Sequence, residues 1–278
     1  MQRELTFAQR AERVIQKRYV KEIWNPFIGA VKRYELIREG DCIAACVSGG
    51  KDSFLTAKLL QMLRRHSDVP FDLRFLCMDP GYTVENRQKI VENAENLEIP
   101  MEFFNANIFE YVAKQGGPQG GSPCYLCARM RRGHLYKEAR DRGCNKIALG
   151  HHLNDVIETT LMSMLYSAQM QTMPPKLKSR NYPGMQLIRP LYCVREEDVL
   201  AWKRRCGLEF LPCACGLAGL RAPGEEGKRQ EVKALIARLR QTHPDVEKCI
   251  FQSAHNVKVD TMIGYTLHGE DHSFLEEF

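Results

Sequence analysis

Apolar and polar positions alternate along this chain in two rhythms. Short continuous apolar runs at 43–47, 71–78, 101–104, 146–149 and 185–188, each bounded by polar or turn-forming residues, predict buried strands. Apolar positions spaced by three and four at 54–63, 86–96, 128–142, 156–166, 196–206 and 228–240 predict helices. The alternation of strand and helix predicts an α/β fold, a doubly wound and mostly parallel sheet with helices on both faces. Residues 1–40 place Val14, Ile15, Tyr19, Ile23, Phe27 and Val31 on one broad helical face. A break is expected at Asn25-Pro26, because proline disfavours helix in the residue before it.

The pattern divides the chain into an N-terminal helical segment (1–40), a main α/β domain (41–212) and a C-terminal helical region with its tail (213–278). The Gly-rich stretch 115–122 is expected to be a flexible loop, 173–180 an irregular basic segment, and the acidic residues 269–278 a loose end.

At 278 residues and 44% hydrophobic, the chain can bury a substantial core. No apolar run approaches the roughly 18 residues of a membrane span, and the opening Met-Gln-Arg-Glu-Leu-Thr lacks the apolar core of a signal peptide, so a cytoplasmic protein with no membrane partner is expected. The net charge of +6 is too small to identify a nucleic-acid partner, so the distribution of charge has to carry that argument. Eleven cysteines is an odd count, which favours reduced thiols over a disulfide framework. Cys42, Cys46, Cys77 and Cys144 lie in or beside apolar strand runs and read as small hydrophobes. Cys193, Cys206 and Cys249 show no ligand spacing. Cys124, Cys127 and the pair Cys213 and Cys215 remain.

The strongest chemical signal is Ser48-Gly49-Gly50-Lys51-Asp52-Ser53, which lies between a predicted strand and a predicted helix. The glycines let backbone approach a ligand closely, and the helix N-terminus offers unpaired N–H groups and the positive end of a dipole. Lys51 adds a mobile positive charge and the serines add hydroxyls. The site is suited to phosphate. It is not the mononucleotide loop that needs four residues between its first glycine and Gly-Lys-Ser/Thr.

Cys124-Tyr-Leu-Cys127 is, by itself, a zinc half-site, a redox pair or two buried residues. Three thiolates, Cys124, Cys127 and one of Cys213 and Cys215, suit an iron-sulfur cluster with one iron left open. Gly150-His151-His152-Leu153-Asn154-Asp155 runs from a strand into a helix. Asp155 is placed to hold magnesium on nucleotide phosphates or, more simply, to favour the helix end. His151 and His152 read as hydrogen-bonding or core residues more readily than as metal ligands. Arg131, Arg132, Lys176 and Lys178 are the expected nucleic-acid contacts. A basic face on the N-terminal helices is a further candidate.

Ser48-Gly-Gly-Lys-Asp-Ser53 resembles the PP-loop of ATP pyrophosphatases, and the resemblance implies an adenine nucleotide alpha hydrolase-like PP-loop domain over residues 41–212. Together with Cys124-x-x-Cys127, Arg131-Arg132-Gly133, Gly150-His-His with Asp155, Met173-Pro-Pro-Lys176, Ile188-Arg-Pro-Leu191 and Pro212-Cys213, it resembles the tRNA 2-thiocytidine synthetase (TtcA-type) family over roughly residues 15–260. The resemblance implies an ATP-dependent tRNA sulfurtransferase using ATP, Mg2+ and a 4Fe-4S cluster. It implies adenylation of the C2 oxygen of an anticodon-loop cytidine, followed by replacement of AMP with sulfur delivered from the cluster.

Lys51, Asp52 and Asp155 are the implied catalytic residues. Ser48, Gly49, Gly50, Lys51, Asp52, Ser53, Asp79, Gly150, His151 and Asp155 form the nucleotide-binding set, and Cys124, Cys127 and Cys213 the cluster ligands, with Cys215 the alternative third. The implied partners are tRNA and a sulfur donor, either sulfide or persulfide derived from a cysteine desulfurase; a homodimer is left open. Two features depart from the family pattern. Asn154 stands where an acid is usual, and Pro212-Cys-Ala-Cys215 is one residue short. A PP-loop sulfurtransferase acting on another tRNA base or a small molecule, and a non-catalytic ATP or metal sensor, are the competing readings.

Overall fold

Ile43, Ala45 and Val47 of β1 (Cys42–Val47) belong to one hydrophobic cluster, and Ala44 and Cys46 to another. A strand buried on both faces has to lie inside a sheet covered on two sides. The computed structural model describes residues 4–106, 108, 123–211 and 225–277, the side chains of 123–128, 225, 226 and 277 excepted. Before β1 come α1 (Phe7–Arg18) and α2 (Asn25–Arg33). After it follow α3 (Lys51–His66), β2 (Asp72–Asp79), α4 (Val84–Asn96), β3 (Met101–Asn105), α5 (Pro123–Asp141), β4 (Lys146–Ala148) and α6 (Leu153–Ser167). The chain continues through β5 (Lys176–Lys178), β6 (Gln186–Ile188), α7 (Glu196–Cys206), α8 (Glu225–Thr242) and α9 (Val246–Ser253) to a hairpin of β7 (Gly264–Leu267) and β8 (Glu270–Ser273).

Among the described residues the main sheet runs β3-β2-β1-β4-β6-β5, parallel throughout except for the edge strand β5. One face packs on α3, α4, α7 and the N-terminal helices, which contribute Ile15, Ile23 and Phe27; the other packs on α5 through Tyr136 and Ala139. The winding reverses between β1 and β4. Their connections therefore leave in opposite directions and open a crevice at the carboxyl ends, where ligands of such sheets bind.

Three expectations need correction. Residues 173–180 are not wholly irregular: Leu177 pairs with Leu187, and Lys176 and Lys178 flank it on the sheet edge, a short strand whose lysines discourage further pairing. The acidic tail is not loose, because positive φ at His268 (55°) and Gly269 (94°) supplies the left-handed two-residue turn that closes β7 onto β8. Helical structure does not wait for Asn25-Pro26 to change. A π-helical turn at Val20–Trp24 precedes α2, and Pro26 sits in the first turn of α2, where its missing N–H has no partner to lose.

At the amino end of the sheet the buried Lys146 ammonium lies 2.5 Å from Asp41 and donates to the Leu36 carbonyl at 2.9 Å. Asn145 donates to the other Asp41 oxygen at 2.8 Å and accepts from the Cys42 N–H at 2.9 Å, so one buried network ties β1 to β4. Removing one partner of a buried pair leaves a charge without compensation. Asp41→Ala is expected to cost about 3–5 kcal/mol in urea unfolding, whereas Asp72→Ala, which breaks the exposed pair with Arg64, should cost less than about 1 kcal/mol. Equal costs would refute the assignment of Lys146–Asp41 as the anchor.

Candidate functional site

β1 ends at Val47 and α3 begins at Lys51, leaving a three-residue loop. Gly49 has φ of +86°, and a Cβ there would stand 3.0 Å from Ile90 and 3.1 Å from Leu211. The Ser53 hydroxyl accepts from the Ser48 N–H at 3.1 Å and donates to the Gly50 carbonyl at 2.8 Å, pinning the loop across its own mouth. No side chain caps the α3 N-terminus. Its N–H groups face the crevice as a ready anion site.

Gly150, beyond β4, meets α3 at backbone distance: a Cβ on it would lie 2.8 Å from the Asp52 carbonyl carbon and the Ser53 nitrogen. The two strand ends can approach this closely only through glycine. Between them lies a cavity of about 380 Å3 lined by Ser48, Gly50, Asp52 and Ser53 from the loop, by Gly150, His151 and Asp155, and by Arg131, Arg132 and Leu135 of α5, with Met78 and Tyr82 closing it. Its size suits a small-molecule ligand.

Charge around the cavity is organised as a closed circuit. Lys51 Nζ lies 3.0 Å from Asp52 and 3.1 Å from Glu196 at the start of α7. Glu196 also faces Lys233 of α8 at 3.3 Å. Lys233 reaches Glu158 at 3.7 Å, and Arg229 of α8 bridges Glu158 and Asp155, each at 2.6 Å. Asp155 Oδ2 accepts the His152 N–H at 3.0 Å while His152 Nδ1 accepts the Asp155 N–H at 3.3 Å, a reciprocal cap on α6. His152 Nε2 stands 3.8 Å from Asp52 and from Glu196, which closes the circuit.

Burial lowers the pKa of Lys51, but Asp52 and Glu196 outweigh it and hold the ammonium above its ordinary value. Burial opposes the Glu196 charge, yet Lys51 beside it brings the carboxyl down to about 2. His151 is different: burial pushes its pKa to about 4 against the pull of Asp155, so the ring is neutral at pH 7, with a buried Nδ1 that has no hydrogen-bond partner.

The structure gathers Ser48, Gly50, Asp52, Ser53, Gly150, His151 and Asp155 around one cavity, with Lys51 beside it and Gly49 shaping the loop. Asp79 is engaged elsewhere: it accepts the N–H groups of Gly81 (2.9 Å) and Tyr82 (2.8 Å) and faces Arg87. Arg131 and Arg132 line the cavity. Arg132 also lines a second, larger groove of about 850 Å3 with Arg129, Lys178, Arg180 and Tyr182. Lys176 does not join them; its ammonium donates to the Glu35 carbonyl at 2.9 Å. Beneath the groove Arg189 donates through its N–H to Pro175 at 3.0 Å and through its guanidinium to Pro174, joining two of the sequence motifs, and burial with nearby Arg132 pushes it down to about 10.

Cys124 and Cys127 fall at the start of α5, about two helical turns and one turn ahead of Arg131. Cys213 and Cys215 lie outside the described residues. The chain leading to them is tied to the loop, since the Leu211 N–H donates to the Gly49 carbonyl at 3.2 Å. Cys46 and Cys77 are buried among apolar neighbours, which pushes each thiol up to about 12 and suits the hydrophobic role expected of them. Sequence reasoning missed Glu196, Arg229 and Lys233. Their only signals, an acid at a helix start and a basic helix, are those of ordinary surface helices.

A PP-loop domain family, ATP_bind_3, matches residues 13–212. A tRNA-cytidine(32) 2-sulfurtransferase of Anaeromyxobacter sp. (strain K) is 35% identical over 240 residues, covering 86% of this chain and 80% of that one. One from Coxiella burnetii (strain Dugway 5J108-111) is 33% identical over 253 residues, covering 91% and 96%. Among solved structures, the U34-tRNA thiolase NcsA from Methanococcus maripaludis with its [4Fe-4S] cluster superposes with a TM-score of 0.65 at 20% identity, covering 86% of this chain and 81% of that one, a likeness of fold.

Gly150→Ala should weaken nucleotide or inorganic pyrophosphate binding by at least about tenfold in calorimetric titration, the scale of about 1.4 kcal/mol, because the new methyl must displace the first turn of α3. Gly29→Ala, with nothing within 4 Å, should leave binding unchanged; equal affinities in the two variants would remove the close-contact argument. For Glu196, whose folded value lies below its ordinary 4.5, the stabilisation is complete above 4.5 and lost as pH falls toward 2. The stability deficit of Glu196→Gln, measured by thermal unfolding, should therefore be largest near neutrality and close between about pH 4.5 and 2.

Proposed function

The chain belongs to the tRNA-cytidine(32) 2-sulfurtransferase family of PP-loop proteins, and from that membership we propose that it is an ATP-dependent tRNA sulfurtransferase forming 2-thiocytidine in the anticodon loop. The observation that carries the reading is the junction at Arg132, where a cavity built for an anionic small molecule meets a basic groove large enough for a nucleic-acid strand. Residues 41–212 are the catalytic domain in this assignment. The N-terminal helices and the region from 213 onward support it.

ATP enters with its phosphates on the 48–53 loop. The α3 N-terminus and the Ser48 hydroxyl receive phosphate oxygens, and Lys51 neutralises the departing pyrophosphate. The cytidine C2 oxygen attacks the α-phosphorus, the bond to pyrophosphate breaks, and the base is left carrying AMP through that oxygen. Sulfide then adds at C2 and AMP leaves with the original oxygen. Neutral His151, beside the reacting centre, offers a hydrogen bond without adding charge.

For Mg2+, the fitting donor is Asp52, whose Oδ1 is buried without a hydrogen-bond partner, while both Asp155 oxygens are engaged. Mg2+ there offsets phosphate charge. The cysteine set fits an iron-sulfur cluster in type: Cys124 and Cys127 stand three positions apart at the start of α5, and Cys213 follows two positions after Leu211, whose N–H is bonded to the phosphate loop. A 4Fe-4S cluster would be held by Cys124, Cys127 and Cys213 and would supply the sulfur for the second step. Phosphates of the anticodon stem-loop lie along Arg129, Arg132, Lys178 and Arg180, with the target base unstacked toward the cavity.

With ATP and an unmodified tRNA transcript, reconstituted protein should release AMP and pyrophosphate and convert one cytidine to its 2-thio form, read by nucleoside mass spectrometry. Lys51→Ala should retain tRNA binding and lose AMP formation. The charge reversals Arg132→Glu and Lys178→Glu should each weaken tRNA binding and reduce its salt slope by about 1. ADP as the main product, or thiolation of a uridine instead, would overturn the assignment.

A further inference from the structure

Two carboxylates, Asp52 and Asp155, line the cavity that the proposed function fills with a polyanion, and two more, Glu158 and Glu196, stand behind them on a neighbouring groove. Left to themselves they would repel it. Three cations face them, and two of the three, Arg229 and Lys233, come from α8, one turn apart on the same helix face. We infer that Arg229 is a positioning residue of the nucleotide site: by bridging Asp155 and Glu158 it cancels the acidic rim and fixes Asp155, which in turn sets the His152 ring against the carboxylates that hold Lys51.

The geometry supports this in three ways. Arg229 uses separate guanidinium nitrogens on separate carboxylates, Nη2 on Asp155 and Nε on Glu158, each at 2.6 Å. A lysine cannot reproduce that fork. Glu158 is 4% exposed, so without Arg229 a buried carboxylate keeps only the longer contact from Lys233 at 3.7 Å. Arg229 itself is 46% exposed and outside the hydrophobic clusters, so its loss does not remove core packing. Its influence reaches Lys51 through Asp155, the reciprocal cap with His152, and the 3.8 Å approaches of His152 to Asp52 and Glu196.

α8 also begins ten residues after Cys215 in sequence. Its docking on the phosphate-loop circuit therefore links the cysteine-bearing stretch to the nucleotide site along one short length of chain. Correct placement of α8 becomes a condition for a competent loop.

The inference rests on ATP as the ligand, and its test separates the two. ATP binding by the full-length protein is measured by calorimetry without tRNA, and KM and kcat for AMP release are measured with tRNA. Arg229→Gln should raise the ATP dissociation constant and KM by about tenfold or more with kcat changed much less, and Arg229→Lys should recover part of the loss. Arg240→Gln, on the same helix as Arg229, removes a pair with Glu197 of α7, neither residue being a member of the circuit. It should cost less thermal stability than Arg229→Gln, which strands the buried Glu158 carboxylate, and leave ATP affinity unaltered. ATP affinity unchanged in Arg229→Gln, or lowered equally in Arg240→Gln, overturns the positioning role alone. No ATP binding by the parent protein overturns the functional reading and this inference with it.

Discussion

Lys51 is held at about 3 Å by two carboxylates that arrive from different parts of the chain, Asp52 beside it and Glu196 more than 140 residues later, and the rest of the site depends on that arrangement. A free lysine on a glycine loop samples many rotamers. One caught between two partly buried carboxylates does not, and the desolvation that would otherwise lower its pKa is outweighed. A phosphate bound as proposed would compete for the ammonium with carboxylates already in place. The site is a balance of charges, with Lys233 and Arg229 paired to the carboxylates around Lys51.

That balance needs a rigid frame, and the sheet supplies it. β1 and β4 are fastened at their amino ends by Asp41, Asn145 and Lys146, and at their carboxyl ends the backbone of Gly150 touches the first turn of α3. Between the two fastenings the strands cannot shift independently. The cavity therefore keeps its width, and the side chains it positions, His151 and Asp155 from one side and Ser48, Asp52 and Ser53 from the other, keep their spacing.

Asn154 also gains an explanation. Its carbonyl oxygen accepts the Glu196 N–H at 2.9 Å, and its amide donates to the buried Glu247 carboxylate of α9 at 3.1 Å. An aspartate could do the first but would face Glu247 with a like charge. The departure from the family pattern thus accompanies a local partner, Glu247, which also pairs with Arg195 at 3.1 Å. The asparagine fixes the start of α7, and hence Glu196, by hydrogen bonding to its backbone.

Periodicity carried the sheet, the helices on its two faces and the position of the phosphate loop, because buried strands and amphipathic helices write their environment into successive residues. Motif spacing likewise located Gly150, His151 and Asp155 at a strand end, where the chain's own direction places them at the ligand crevice. The tail hairpin and β5 escaped notice because they are exposed and carry no continuous apolar run, whereas the equally short β4 and β6 are buried and do. The sequence by itself determined which residues are of the type to handle phosphate, and it offered Cys124, Cys127 and one of Cys213 and Cys215 as residues of the type to share a metal. Only the tertiary structure decided that Lys51 answers to Glu196, that Arg229 takes up Asp155, that Asp79 is engaged with a turn and Arg87, and that Lys176 leaves the basic groove for Glu35. The reason is physical: charge pairing is set by distance in space, and residues on separate helices carry no periodic record of the partners that folding brings to them.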